Sequence, residues 1–181
     1  MPIRPLRSSD AGGYTAALDA SRPELSAWTI WCPADPAIPV GMDWFHDHVG
    51  ISDDADEWAF AIVDDIPDTA SDDHFLGVVG FHRIDRDDGI AELGYWVRSD
   101  RAGEGVATGA ARLALDWFFS RSDMHAVEIL VNTTNDASNR VCEKLGASRI
   151  GGLADRIRVP GGRADATLWQ VTRRRWLGET G

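Results

Sequence analysis

The chain has 181 residues, 44% of them hydrophobic and eight of them tryptophan, enough for one substantial core, so residues 1–181 are expected to form a single domain. Eighteen basic against twenty-nine acidic residues leave a formal charge of -11, which argues against binding a nucleic-acid backbone and suits cationic partners such as amines. Two cysteines, an N-terminus without an apolar leader and no long apolar run point to a cytoplasmic chain with no membrane span.

In chain order, "IRPLRSSDAGGYTAALDAS" reads as a short edge strand, held at the edge by Pro5, then a helix that Ser8, Ser9 or Asp10 can cap. Residues 21–50 contain "PELSAWTIWC" and "MDWFHDHVG" around the proline-rich "PADPAIP", which predicts two short helices joined by a bent linker. Trp28, Trp31, Trp44 and Phe45 make this stretch unusually aromatic: a packing layer over the core, a pocket wall or a dimer contact. "EWAFAIVDD", "HFLGVVGFHRID" and "IAELGYWVRS" are β-rich runs separated by the acidic "DIPDTASDD" and by "RDDG", the pattern of an antiparallel meander.

"RSDRAGEGVATGAARLALDWFF" then turns through two glycines into a helix whose apolar positions are Val106, Ala110, Leu113, Trp117 and Phe118. "HAVEILVN" is a buried strand. "NDASNRVCEKLGA" is a second amphipathic helix, with Ala137, Val141, Cys142 and Leu145 on its apolar stripe and Gly146 as its stop. "SRIGGLADRIRV" and "DATLWQVTRR" close the chain as a hairpin about "PGGRA". The sum is an α+β fold.

A glycine pair between a strand and a helix allows an ordinary corner, a nucleotide loop or a pyrophosphate cradle. Gly103, Gly105 and Gly109 have the wrong spacing for a dinucleotide fingerprint, and no Gly-Lys-Ser/Thr follows for a P-loop. His46 and His48 stand two apart with no cysteine at ligand spacing, so no metal site is expected. Cys142 reads as core; Cys32, beside Trp31, is a candidate for the wall of an acceptor pocket.

Gly94-Tyr95-Trp96, the turn Arg101 to Ala107, and Asn135, Ser138, Lys144 and Gly146 together resemble the GNAT family of acetyl-CoA-dependent N-acetyltransferases, most of all its RimJ/RimL branch. The opening "IRPLRSSDA" is also similar to that branch. The resemblance implies the GNAT fold, a mixed and mostly antiparallel twisted sheet of about seven strands flanked by helices. It also implies acetyl-CoA as donor and a primary amine as acceptor, with a protein N-terminal α-amine expected. The alternatives are a small amine, an amino-acid-like toxin or antibiotic, or a non-catalytic acyl-CoA sensor; the aromatic segment leaves room for a homodimer.

Residue by residue, the resemblance assigns cofactor binding to Val97, Arg98, Arg101, Ala102, Gly103, Glu104, Gly105, Val106, Ala107, Asn135, Ser138 and Arg140. Val97 supplies an oxyanion-facing amide, and the thioester lies in a splay between the strands "AELGYWV" and "HAVEILVN". Ser138 is the expected proton donor to the leaving thiolate. Glu92 leads as general base, with Asp155 and His82 as alternatives, because the position where RimL-like relatives carry a glutamate is Ile157 here. Trp28, Trp31, Glu92 and Trp96 are expected to meet the acceptor. The turn departs from the family in carrying Asp100 and Glu104 near the phosphates, which leaves attraction to the backbone amides and Arg101.

Overall fold

A computed structural model of the chain describes residues 1–38, 40–52, 55–64 and 74–178; the acidic turn expected at 65–73 lies outside them. Seven strands, β1 (Ile3–Pro5), β2 (Trp58–Val63), β3 (Phe75–Asp85), β4 (Ile90–Val97), β5 (Ala126–Asn132), β6 (Ser148–Val159) and β7 (Gly162–Thr172), form one sheet in the order β1-β2-β3-β4-β5-β7-β6. Every neighbouring pair is antiparallel except β4 and β5. The meander β2 to β4, the edge position of β1 and the closing hairpin are as the sequence implies.

The helices are α1 (Ala11–Trp28), α2 (Met42–Asp47), α3 (Val106–Arg121), α4 (Asp136–Leu145) and a short α5 (Arg173–Leu177). They cover the sheet unequally. Trp58, Phe60, Ile62, Leu93 and Val127 pack with Ala110, Ala114, Leu115 and Phe118 of α3, while Ala59, Ala61, Phe75 and Val78 pack with Tyr14 and Leu18 of α1 and Phe45 of α2. Alternation along a strand assigns consecutive residues to these two layers, so all six residues of β2 are buried.

Three sequence expectations are corrected. The first of the two short helices in 21–50 does not exist separately: α1 runs through Pro23 to Trp28. A proline inside a helix removes one ladder donor and costs about 3 kcal/mol. Burial of Tyr14, Ala17 and Leu18 along the same helix offsets that cost, and the Arg22 guanidinium donates to Asp19 and to the carbonyls of Pro33 and Ile38, tying the linker back to the helix. On α3, Leu113 is exposed, and the covered face is instead Val106, Ala110, Ala111, Ala114, Leu115, Phe118 and Phe119. On α4, Ala137 is exposed while Cys142 and Leu145 are buried.

The start of α1 is held by Asp10 in a way the capping pattern only half anticipates. Its carboxylate accepts from both Arg4 guanidinium nitrogens at 2.7 and 2.6 Å and from the Arg7 amide at 2.8 Å, clamping β1 to the helix entrance. Burial pushes this carboxyl up, but the Arg4 hydrogen bonds and the Arg7 amide outweigh it and hold it below its ordinary 3.8. A folded-state value below the unfolded one stabilises the fold above that pH, and the stabilisation is lost as pH falls through 3.8 and below. Asp10→Asn is therefore expected to lower stability by about 1–2 kcal/mol at neutral pH. Urea unfolding at pH 7 and pH 3 checks this, since the difference between variant and parent should shrink at the lower pH.

Candidate active site

β4 and β5 pair in parallel only at Ile90 with Ala126, Ala91 with Val127 and Glu92 with Glu128. Beyond Glu92 the two strands part, while β4 continues to Val97 against β3 and β5 continues to Asn132 against β7. The gap is therefore bounded by strands that are each paired on their outer side. The Arg98 N–H donates to the Leu76 carbonyl on β3 at 2.8 Å. Because N–H direction alternates along a strand, the amides of Val97 and Tyr95 are directed toward the β5 side, where the ladder has ended.

At the open end of this gap lies the glycine turn. A 3-10 turn, Ser99–Arg101, is anchored to α1 by the Ser99 amide donating to Ser21 Oγ at 3.0 Å. Gly103 and Gly105 then both adopt φ +84 with open space where a side chain would stand. Gly105 opens α3, and no side chain caps the helix there. The first-turn amides of an uncapped helix are unsatisfied donors at its positive end, a fit for pyrophosphate oxygens.

The acidic rim is neutralised internally. Asp100 accepts from Arg98 at 2.8 Å and Glu104 from Arg101 at 2.9 Å, and Arg101 also reaches Asp64 at 3.1 Å. The Arg98 partnership holds the Asp100 carboxyl below its ordinary value. The expectation that Arg101 aids the backbone is thus modified: its guanidinium already serves two carboxylates. Arg140 is exposed on α4.

On α4, Asn135 Oδ1 accepts the Ser138 backbone N–H at 3.0 Å, the N-cap the sequence suggests. Ser138 Oγ lies 2.8 Å from the Tyr95 hydroxyl, a contact that bridges α4 to the free stretch of β4. Burial pushes the Tyr95 phenol well above its ordinary value, so it stays protonated. Cys142 adjoins the same hydroxyl; burial pushes its thiol up to about 12.

The opposite face of β4 carries Glu92, Gly94 and Trp96. Trp96 packs on Tyr14, Phe75 and Trp31, with ring centroids 5.9, 6.4 and 6.5 Å away, and Trp31 keeps 45% of its surface exposed. Ile30 and Ile38 are exposed in the same linker, and Trp28 is half-buried. Cys32 is fully buried with Tyr14 and Phe45, so it belongs to the core and not to a pocket wall.

Glu92 is engaged at both oxygens. Oε1 lies 3.1 Å from His82 Nε2 and Oε2 accepts from Arg83 at 2.9 Å. Burial pushes the carboxyl up, yet the His82 hydrogen bond and charge, followed by Arg83, hold it below its ordinary value. Asp155 sits with φ +49 where the β6 register slips between Leu153 and Ile157. It is exposed, and its amide donates to Asp165. Among the described residues, no group of three or more His, Cys, Asp or Glu stands together to hold a metal, and no helix is long and apolar enough to cross a membrane. A cavity of about 500 Å³ lined by Trp58, Arg86, Trp117 and Arg121 opens at the other end of the sheet, away from the splay.

Sequence reasoning found the turn, the Asn135–Ser138 start of α4 and the strand pair. It missed Tyr95 as the partner of Ser138 and the convergence of His82 and Arg83 on Glu92. Tyr95 was legible only as one member of a Gly-Tyr-Trp motif, whereas the packing of α4 against β4 supplies its partner.

Residues 1–148 match the acetyltransferase (GNAT) domain family. The chain is 29% identical over 108 residues to a putative ribosomal N-acetyltransferase, YdaF of Bacillus subtilis, a match covering 60% of this chain and 59% of that one. Two solved structures share the fold. Ribosomal-protein-S5-alanine acetyltransferase from Vibrio fischeri superposes with TM-score 0.78 at 22% identity, over 96% of this chain and 93% of that one. Spermidine N-acetyltransferase from Vibrio cholerae, solved with CoA and spermine, gives TM-score 0.74 at 19% identity over 97% of each chain.

Proposed function

The chain belongs to the GNAT acetyltransferase family, whose donor is acetyl-CoA, and from that premise we propose that it acetylates a primary amine, namely a protein N-terminal α-amine. The observation that carries the reading is the end of β4–β5 pairing at Glu92 and Glu128, with the Tyr95–Ser138 contact at the free stretch. The uncapped α3 start and its two left-handed glycines fit the pyrophosphate of the donor. Asn135 and Ser138 flank the thioester end.

The chemistry follows from these placements. The amine nitrogen bonds to the thioester carbonyl carbon while the carbonyl oxygen takes up negative charge, stabilised by the Val97 N–H on the β5 side. As the carbon–sulfur bond breaks, Ser138 passes its proton to the departing sulfur and regains one from water, which balances the proton that the amine gives up. The nitrogen loses its proton to the group centred on Glu92, and the products are the N-acetyl amine and the free thiol. Trp31 and Trp96 form an apolar rim that suits the first side chain of a peptide.

A second acceptor class, a small cationic amine, is favoured by the charge of -11 and by Glu92 and Glu128 standing side by side on the open sheet face. Thiol release from acetyl-CoA, followed with N-terminal peptides and with small polyamines, separates the two. Preference for peptides by at least about tenfold in kcat/KM supports the first reading; preference for polyamines replaces it. Binding of acetyl-CoA without turnover of any acceptor overturns both.

A further inference from the structure

We propose that His82 is the group that takes the proton from the acceptor amine, and that Glu92 is a positioning residue that holds its imidazole. This rests on the acetyl-transfer reading above and assigns its proton acceptor.

His82 and Glu92 are directly paired across β3 and β4, so both side chains stand on the same sheet face, next to the last β4–β5 pair. Consecutive strand residues normally point to opposite faces. Arg83 nevertheless reaches the same carboxylate as His82, because the register slips between His82 and Asp85 and Arg83 adopts φ +48. A non-glycine residue held there is strained, and bulges of this kind re-aim side chains. The result is a carboxylate with one oxygen on Nε2 and the other on a guanidinium. Two cationic or donating partners make it a poor proton acceptor.

The imidazole is placed differently. With Nε2–H donating to Glu92, the lone pair resides on Nδ1, which has no hydrogen-bond partner among the described residues. The ring lies over Gly94, two residues beyond the last β4–β5 pair: a side chain there would come within 3.1 Å of Cε1 and 3.5 Å of Nδ1. Glycine at 94 therefore leaves room for the ring over β4, on the strand that borders the splay. The charged groups around it are Glu92 on β4, Arg83 on β3 and, beside Glu92, Glu128 on β5. In the step, the nitrogen–hydrogen bond of the attacking amine breaks, its proton moves to Nδ1, and the imidazolium returns it to water; no other reactant is needed.

The test uses the full chain with acetyl-CoA and its best acceptor. His82→Gln is expected to lower kcat about a hundredfold, leave acetyl-CoA affinity unchanged within about threefold and abolish the acid limb of the kcat/KM profile. Glu92→Gln keeps an acceptor for Nε2–H, so it is expected to cost only about tenfold and to move that limb toward lower pH without removing it. His82→Gly with added imidazole should recover activity, which a purely structural histidine would not show. Loss of the limb in Glu92→Gln but not in His82→Gln, or no rescue of a folded His82→Gly, overturns the proposal. Failure of the parent to acetylate any amine overturns the underlying reading instead.

Discussion

Ser138→Ala is expected to lower turnover about a hundredfold while leaving acetyl-CoA affinity within about threefold of the parent. The reason lies in which atoms Ser138 uses. Asn135 caps α4 through the backbone N–H of residue 138, not through its hydroxyl, so alanine keeps the cap and the helix entrance. What disappears is the Oγ that meets Tyr95 at 2.8 Å. The Tyr95 phenol, raised by burial, remains protonated, and either hydroxyl of the pair can donate to the other; in the arrangement in which Oγ accepts, the serine proton is left to point toward the splay. Tyr95→Phe should therefore lose part of the same effect, and the double variant should be no slower than Ser138→Ala alone, since the two act as one unit. Additive losses, or equal losses in turnover and acetyl-CoA affinity, would show that Ser138 only binds. Asn135→Ala serves as the contrast: it removes the cap and costs about 1 kcal/mol of stability.

The elements that local pattern determines were legible. β2 to β4 showed as β-rich runs, α3 and α4 by their apolar period, and Gly146 as a helix stop that takes φ +73. The resemblance added the splay, which periodicity could not have given. What escaped depends on contacts between distant residues. α1 continues through Pro23 because burial of its apolar face and the hydrogen bonds of Arg22 to the linker and to Asp19 outweigh a local breaker. Asp100 and Glu104 looked like unfavourable charges beside a phosphate site until Arg98, Arg101 and Asp64 were seen around them. His82 and Glu92 are ten residues apart in sequence, and only the β3–β4 register makes them partners, while the slip just beyond His82 brings in Arg83.

Gly77→Ala is expected to be the most destabilising small substitution in the sheet, because a close backbone approach at this position supports the rim of the splay. Gly77 sits where the β2–β3 register shifts, with φ +149, opposite Val97. A β-carbon there would stand 2.1 Å from the Trp96 carbonyl oxygen and 2.9 Å from the Val97 α-carbon. Both are backbone atoms of β4, so no side-chain rotation relieves the clash and the strands must separate. Such overlap costs about 3 kcal/mol or more, which for a chain of this size is a fall of roughly 6–12 °C in Tm. Gly103→Ala is the control: φ is also positive, at +84, but nothing lies within 4 Å, so only the conformational cost of about 1 kcal/mol remains. The two should also differ in function. Displacing Trp96 and Val97 moves the amide that faces the β5 side, so folded Gly77→Ala should lose turnover even with saturating acetyl-CoA, whereas Gly103→Ala should weaken acetyl-CoA binding with turnover retained at saturation. Thermal unfolding combined with kcat and acetyl-CoA titration separates the two positions, and a Gly77→Ala variant within about 2 °C of the parent would show that β3 and β4 do not approach so closely at the splay.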